Sequence, residues 1–214
     1  MHKNPIKINS QLVLATGNQG KLRELQALLT GSNIEIATLR DFPELIMPEE
    51  TGRTFTENAR LKAQAVVAVS GCWALSDDSG LTVDALNGAP GIYSARYAGN
   101  IASDADNNRK LLQEMDGVPD EKRQAAFVCT LLLASPQGAE YIFTGSCPGR
   151  IAHKPSGSEG FGYDPVFLPG PDFNISMAQL TRTEKSAISH RGQALQQFKL
   201  WLNSKQDHLS ETLS

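Results

Sequence analysis

Two adjacent carboxylates follow an apolar stretch in the segment LSDDSGL, residues 75–81. Successive side chains of a strand point to opposite faces, so Asp77 and Asp78 serve one site only if the strand bends or ends there, which the glycine after them permits. Two close carboxylates raise each other's pKa unless a cation lies between them. Mg²⁺ prefers oxygen ligands and is often held by a few carboxylates together with substrate phosphates. The pair therefore favours a magnesium site, which Glu49 and Glu50 of another loop could complete, and a solvated acidic turn is the alternative.

A second polar segment, TGNQGK at residues 16–21, joins the apolar sequence QLVLA to the amphipathic sequence KLRELQALL. Free backbone N–H groups and the positive end of a helix favour an anion at such a turn. Thr16 and Asn18 can add hydrogen-bond donors, and Lys21 adds a positive charge. The spacing differs from the P-loop pattern G-x-x-x-x-G-K-[ST], so the turn indicates another type of anion site. A strand–turn–helix unit that binds nothing is the alternative.

Other basic side chains are available to a phosphate-bearing ligand. Lys62 lies on a predicted helix, and Lys185, His190 and Arg191 occur in the segment EKSAISHRG, just before the last predicted helix. A solvated lysine and a capping histidine are the ordinary alternatives for these residues.

Two aromatic residues between glycines could face a planar ring. They are Phe161 and Tyr163 in the segment GFGYDP, and simple packing of this loop onto the core is the alternative. An anion-binding turn, an acidic metal site, several basic residues and a glycine-flanked aromatic residue together fit a nucleoside triphosphate bound with Mg²⁺.

The composition narrows the class of protein. The 214 residues carry a net charge of −3, with 40% hydrophobic and 20% charged residues, which is ordinary for a soluble globular protein and weighs against binding to duplex nucleic acid. The three cysteines form no CxxC pair, which indicates reduced thiols, and no pattern supports a thiol nucleophile built from Cys147 and His153. No apolar segment has the length of a signal peptide or a membrane span, so we expect a cytoplasmic protein with no membrane partner.

Hydrophobic periodicity predicts alternating strands and helices, followed by a hairpin. This pattern indicates an α/β fold with a mixed sheet. Thr54 and Glu57 predict a capping box, and Gly71 predicts the end of that helix. The predicted strands are residues 11–15, 33–39, 72–76, 81–86, 124–135, 139–147 and 165–168. The predicted helices are residues 21–29, 55–70, 104–115 and much of 191–202, with a loop or lid at 88–99 and a fraying tail after Asn203.

Five segments of the chain, in order, resemble the inosine triphosphate pyrophosphatase family. They are TGNQGK, ETGRTFTENARLKA, SDDSGLTVDALNGAPGIYSARYAG, GFGYDPVF and LTRTEKSAISHRGQAL, and the resemblance spans residues 12 to 202. It implies an elongated mixed central sheet with flanking helices, in two lobes around a central cleft. It also implies Mg²⁺-dependent hydrolysis of ITP, dITP and XTP to the monophosphate and pyrophosphate by a homodimer. We expect one catalytic domain over residues 1–203 and a polar tail over 204–214.

The resemblance also implies roles for individual residues. Asp78 would be the general base, and Glu49, Asp77 and Asp78 would lie at the metal. The triphosphate would be held by the turn Thr16, Gly17, Asn18, Gln19, Gly20 and Lys21, with Lys62 near the phosphates and Ser79 touching the substrate. The base pocket would comprise Phe161, Gly162, Tyr163 and Asp164, with Lys185, His190 and Arg191 on the phosphate and base.

One departure from the family pattern is visible, and two other functions are conceivable. Glu159 stands where many relatives have glycine, so we expect a local loop change there. A Maf-like pyrophosphatase acting on modified pyrimidine nucleotides would differ in its substrates. A non-catalytic nucleotide-binding module would bind ITP without releasing pyrophosphate, but adjacent carboxylates would add little to a pure triphosphate binder.

Overall fold

The computed structural model describes residues 11–30, 34–172 and 174–210. The described strands are β1 (Gln11–Ala15), β2 (Glu35–Thr38), β3 (Trp73–Val83), β4 (Gln124–Ala134), β5 (Glu140–Ile151) and β6 (Phe167–Pro169). The described α-helices are α1 (Gln19–Leu29), α2 (Phe55–Ser70), α3 (Asp104–Glu114), α4 (Arg182–Ile188) and α5 (His190–Ser210). Short 3-10 helices include Gly91–Arg96, inside the predicted loop at 88–99.

All six strands form one sheet in the order β2-β1-β3-β4-β5-β6. β1 is parallel to both β2 and β3, whereas the remaining neighbours pair antiparallel. The prediction of an α/β fold with a mixed sheet and flanking helices is therefore confirmed. Among the helices of the described segments, none is long and apolar enough to cross a membrane.

The central strand β3 is continuous, and the prediction of two strands, 72–76 and 81–86, is wrong. β3 pairs with β4 along ten positions, from Ala74 opposite Ala134 to Val83 opposite Ala125. Its pairing with β1 ends much earlier, at Ser76. The chain therefore does not stop at the two carboxylates. Instead, the neighbouring strand β1 ends, and this leaves the edge of β3 open beside Asp77 and Asp78.

Each face of β3 carries one of the two carboxylates. On the face covered by α1 and α5, Leu75 belongs to one apolar cluster and Leu81 to another, and Asp77 and Ser79 lie between them. The opposite face packs on α2 through a third cluster and carries Asp78. The polar residues between the two apolar clusters, Asp77 and Ser79, thus lie at the open edge of β3, where side chains from both faces of the strand meet.

Several predicted boundaries move because pairing partners are distant in sequence. β5 continues past residue 147 because Gly149–Ile151 pairs with β6 on one side, while the pairing with β4 continues on the other side. β6 begins at Phe167, because Asp164–Val166 forms a 3-10 helix instead of the predicted strand. β2 covers Glu35–Thr38 of the predicted 33–39, and residue 33 lies outside the described residues.

The helix ends also differ in detail. The Thr54 hydroxyl accepts from the Glu57 N–H at 3.1 Å, but the Glu57 carboxylate accepts from the Arg53 N–H, so the predicted capping box is not closed on Thr54. α2 ends at Gly71, as predicted, with φ at +63°. α4 was not predicted. α5 begins at His190 and runs to Ser210, past the point where the tail was expected to fray, and residues 211–214 lie outside the described residues.

Candidate active site

A cleft of about 750 Å³ lies beside the open edge of β3. Most of the predicted site residues line it, although their elements are far apart in sequence. They are Thr16, Gly17, Asn18, Lys21, Glu49, Lys62, Asp77, Ser79, Phe161, Gly162, Tyr163, Asp164, Lys185, His190 and Arg191. Three predicted site residues do not line the cleft in the described structure: Gln19, Gly20 and Asp78.

The turn after β1 is held by its own side chains. The Asn18 side chain accepts from the backbone N–H groups of Gly20 at 2.9 Å and Lys21 at 3.1 Å, so it caps α1 and occupies donors that were expected to be free. A Cβ on Gly20 would lie 2.8 Å from Cδ1 of Phe161, so glycine lets that ring pack on the turn. The phosphate turn and the predicted base pocket are therefore in direct contact.

Asp77 is buried between two cations. Its Oδ1 lies 2.6 Å from Nζ of Lys21, its Oδ2 lies 2.6 Å from Nε of Arg191, and the Ser79 hydroxyl donates to it at 2.7 Å. Burial alone would raise the pKa of Asp77, but Arg191 and Lys21 outweigh it and hold the pKa well below its usual range. Since both carboxylate oxygens already accept from protein donors, Asp77 fixes the two cations in place.

Asp78, on the other face, belongs to a second charged cluster. Nζ of Lys62 lies 2.6 Å from Asp78 Oδ1 and 2.9 Å from Glu50 Oε1, and it donates to the carbonyl of Asp77 at 2.8 Å. Arg96 then pairs with Glu50 at 3.0 Å. Burial raises the pKa of Asp78 despite the opposing effect of Lys62. The pKa of Lys62 is raised as well, because Asp78 and Glu50 outweigh its burial, so Lys62 stays protonated.

The loop that carries Phe161 is tied to α4. Lys185 lies 2.6 Å from Asp164 Oδ2, and the same carboxylate accepts from the Phe161 N–H at 2.8 Å. Nζ of Lys185 lies 4.8 Å from the centre of the Phe161 ring, and the Arg191 guanidinium carbon lies 5.7 Å from it. Phe161 is therefore an aromatic face with two cations beside it, which suits an electron-rich planar ring bearing phosphates.

His190 is a buried, neutral group at the cleft. Burial and the neighbouring Arg191 hold the pKa of His190 well below its usual range. Its ring stacks on Phe127 with centroids 4.9 Å apart and planes at 12°, and its buried Nδ1 has no hydrogen-bond partner within the described structure. A buried polar atom without a partner at a cleft marks a position where a ligand would supply the missing hydrogen bond.

Several residues at or beside the cleft were not predicted from the sequence. Glu24 of α1 contacts both Arg191 and Lys185, the latter at 3.4 Å. Its position three residues after Lys21, on the same helix face, was the available signal. Arg96, Asp104 and Phe127 line the cleft, but nothing in their local sequence indicated it.

The donor set fits a magnesium ion held jointly with a substrate. No group of three or more His, Cys, Asp or Glu side chains that could hold a metal ion occurs in the described part of the chain. However, carboxylate oxygens of Asp78 and Glu50 converge on the single ammonium of Lys62, and Glu49 lines the cleft together with Glu50 and Lys62. Mg²⁺ commonly binds through one or two carboxylates plus substrate phosphates, and this arrangement is compatible with that mode. The metal role predicted for Asp77 stays a prediction.

Comparison with known proteins identifies the family of this chain. The pattern of the Ham1 family matches residues 12–201. The dITP/XTP pyrophosphatase of Listeria monocytogenes is 49% identical over 189 residues, which are 88% of this chain and 93% of the relative. The dITP/XTP pyrophosphatase of Geobacter sulfurreducens is 51% identical over 186 residues, 87% of this chain and 93% of the relative. The solved structure of a HAM1 protein from Coxiella burnetii matches with a TM-score of 0.84 at 43% identity, covering 91% of this chain and 99% of that one. The family predicted from the sequence is thus confirmed: the chain belongs to the Ham1 family.

Proposed function

We propose that this chain is a nucleoside triphosphate pyrophosphatase that hydrolyses ITP, dITP and XTP to the monophosphate and pyrophosphate. It thereby removes deaminated purines from the nucleotide pool. Relatives that are 49% and 51% identical carry the name dITP/XTP pyrophosphatase, which supports this substrate class. The observation that carries the proposal is one cleft lined both by Lys62 and Glu50, which form a charged cluster with Asp78, and by an aromatic face flanked by cations.

The triphosphate is held by lysines that exchange partners. In the described structure Lys21 pairs with Asp77, and Lys62 pairs with Asp78 and Glu50. When phosphate oxygens enter, both ammonium groups contact them, and the carboxylate of Asp78 is released from Lys62. Phosphoryl transfer depends mainly on positioning and on neutralising charge, and two lysines fixed by buried carboxylates supply both.

Asp78 accepts the proton of the attacking water. The water oxygen bonds to the α-phosphorus, the bond from that phosphorus to the bridging oxygen breaks, and pyrophosphate leaves with the electron pair. Burial raises the pKa of Asp78, which makes it a better proton acceptor than an exposed aspartate. Mg²⁺, held by Asp78 with Glu49 or Glu50 and by phosphate oxygens, would supply charge neutralisation and a lower pKa for bound water.

Selectivity for the base rests on His190 and Arg191 beside the Phe161 ring. Hypoxanthine and xanthine present a 6-oxo acceptor and an N1–H donor, whereas adenine presents a 6-amino donor. A neutral His190 offers one N–H and one lone pair, and Arg191 is buried with donors fixed by Asp77 and Ser79. The Arg191 N–H groups that remain beyond its bonds to Asp77, Ser79 and Glu24 can donate to a 6-oxo group but not to the 6-amino donor of adenine. Adenine would leave these buried donors unpaired, which rejects an analogue strongly.

The oligomeric state, the cellular location and the domain bounds belong to the same proposal. We include a homodimer, a cytoplasmic location, and one catalytic domain over residues 1–203 followed by a polar tail over 204–214. The first rests on the family resemblance, and the second on three cysteines without a CxxC pair, which indicate reduced thiols. The third rests on the span of the matching motifs.

The test is pyrophosphate release from ITP, XTP, GTP, ATP and dTTP, each with and without Mg²⁺. We expect Mg²⁺-dependent release from ITP and XTP, and Asp78→Asn should lower turnover by about 10²–10⁴-fold while ITP still binds. Equal release from all five would refute the base pocket, and preferential hydrolysis of a modified pyrimidine nucleotide would indicate a Maf-like enzyme. Tight ITP binding by the wild type without release would indicate a binding module.

A further inference from the structure

Helix α3 contacts the loop of the proposed base pocket through two side chains. The Asp104 carboxylate accepts from the Gly162 N–H at 2.7 Å, and the Asn108 side-chain amide donates to the Gly162 carbonyl at 2.9 Å. Residues four apart lie on one face of a helix, so both side chains reach the same residue of the loop. The N–H and the carbonyl of Gly162 are therefore both fixed from α3, although 54 residues separate Asn108 from Gly162.

The position of Gly162 makes this contact consequential. Gly162 lies between Phe161 and Tyr163, with φ at +64°, a conformation that glycine adopts readily. Hydrogen bonds on both of its backbone groups fix the peptide planes on either side, and so the direction in which the Phe161 side chain leaves the chain. The Tyr163 hydroxyl donates to the Ser94 carbonyl at 2.9 Å and ties down the other side of the loop.

The burial of Asn108 shows that it is not an ordinary polar residue of the protein surface. Asn108 is 7% exposed and precedes the buried Leu111 on α3. Its Oδ1 is buried and has no partner among the described atoms. An apolar side chain would avoid that unpaired oxygen, so an asparagine here is explained by what its amide N–H group does, which is to hold Gly162.

A neighbouring asparagine performs the equivalent task on a different loop. Asn107 accepts from the Ala98 N–H at 2.8 Å and donates to the Ala95 carbonyl at 3.3 Å. The segment that it holds contains Arg96, which pairs with Glu50 in the carboxylate–lysine cluster. Adjacent residues of one helix thus hold two different walls of the cleft.

We infer that Asp104 and Asn108 are positioning residues that fix the Phe161 loop in the geometry needed to bind the 6-oxo purine ring. This inference rests on the proposed function and extends it to two residues of α3, of which Asp104 also lines the cleft. It assigns base recognition in part to α3, and it predicts that the affinity for the base can be weakened while the affinity for the phosphates is kept.

The experiment measures dissociation constants of IMP, AMP and pyrophosphate, with Mg²⁺, for the wild type and four variants. Asn108→Ala and Asp104→Ala should each weaken IMP binding about tenfold and leave pyrophosphate binding within about twofold. Asp104→Asn should restore IMP binding, because an amide oxygen still accepts from Gly162. The matched control is Arg109→Ala, which removes an exposed side chain next to Asn108 and should behave as the wild type.

Two further readouts separate a positioning role from general destabilisation. Amide hydrogen exchange of residues 160–164 should rise in Asn108→Ala and Asp104→Ala but not in Asp104→Asn or Arg109→Ala. Unchanged exchange, or a parallel loss of IMP and pyrophosphate affinity with a lower Tm, would overturn the inference. A wild type that binds IMP no better than AMP would instead refute the proposed function, whatever the exchange data show.

Discussion

The two adjacent carboxylates should respond to the same substitution in opposite ways. Both oxygens of Asp77 accept from cations, Lys21 on one side and Arg191 on the other, and its side chain is 0% exposed. Asp77→Asn keeps the shape but has only one oxygen, so its NH2 group must face one of these cationic donors. We expect the free energy of unfolding at pH 7 to fall by about 3 kcal/mol, the low end for breaking a buried pair, because Glu24 still faces Arg191.

Asp78→Asn is the matched variant on the other face of the strand. Burial raises the pKa of Asp78 in the folded protein, so ionisation of this group at neutral pH opposes folding. Asparagine removes that ionisation, and Lys62 keeps Glu50 as a partner. We therefore expect Asp78→Asn to be at least as stable as the wild type at pH 7 while its turnover falls by about 10²–10⁴-fold.

Urea unfolding at several pH values checks both expectations. The folded-state pKa of Asp77 is depressed, so the wild type's advantage over Asp77→Asn is fully present above the unfolded-state value of about 3.9 and is lost as the pH falls through the folded-state pKa. The effect of Asp78→Asn should appear only as the pH rises above about 3.9. Equal stability changes in the two variants, or a gap for Asp77→Asn that does not depend on pH, would refute the assignment of two separate charge clusters.

Other expectations follow from single contacts. Gly20→Ala would place a methyl group 2.8 Å from Cδ1 of Phe161, so the KM for ITP should rise about tenfold while inhibition by pyrophosphate stays unchanged, and an unchanged KM would contradict this packing. Since the pKa of His190 is held well below its usual range, first by burial and then by Arg191, His190→Gln should remove no transition near about pH 6.5 from the profile of kcat/KM. Removal of divalent cations with EDTA should stop pyrophosphate release, and Mg²⁺ should restore it. A thiol reagent should label Cys72 rapidly in the native protein and all three cysteines only after unfolding, because the other two are buried.

Much of the site was predictable because its motifs are contiguous in sequence. The turn from Thr16 to Lys21 follows a strand and precedes a helix, the pair Asp77 and Asp78 interrupts an apolar segment, and Phe161 stands between two glycines. Residues of all three segments line the cleft, Asp77 from the acidic pair among them. The predicted fold class held for the same reason, since strand and helix periodicity is a local property. α4 could have been found as well, because Thr181 and Glu184 form a capping box visible in the sequence.

The features that could not be predicted from the sequence depend on contacts between residues that lie far apart along the chain. Asp77 and Asp78 interrupt an apolar pattern, which suggested a strand end, but cations from α1, α2 and α5 satisfy them within a continuous strand. The early end of β1, which opens the edge of β3, depends on how the two strands pair in the sheet. It cannot be predicted from the sequence of β1 or of β3 alone. The contact of Asn108 with Gly162 is of the same kind, because nothing in the local sequence of α3 indicates what its polar face holds.

The most direct measurement of the central claim is hydrolysis of an equimolar mixture of ITP and ATP in water enriched in ¹⁸O, with the products analysed by mass spectrometry. We predict that ITP is consumed first and that the label enters the phosphate of IMP, since water attacks the α-phosphorus and pyrophosphate leaves unlabelled. Label in pyrophosphate or inorganic phosphate would contradict the proposed attack, and equal consumption of ATP would contradict recognition of the 6-oxo purine by this cleft.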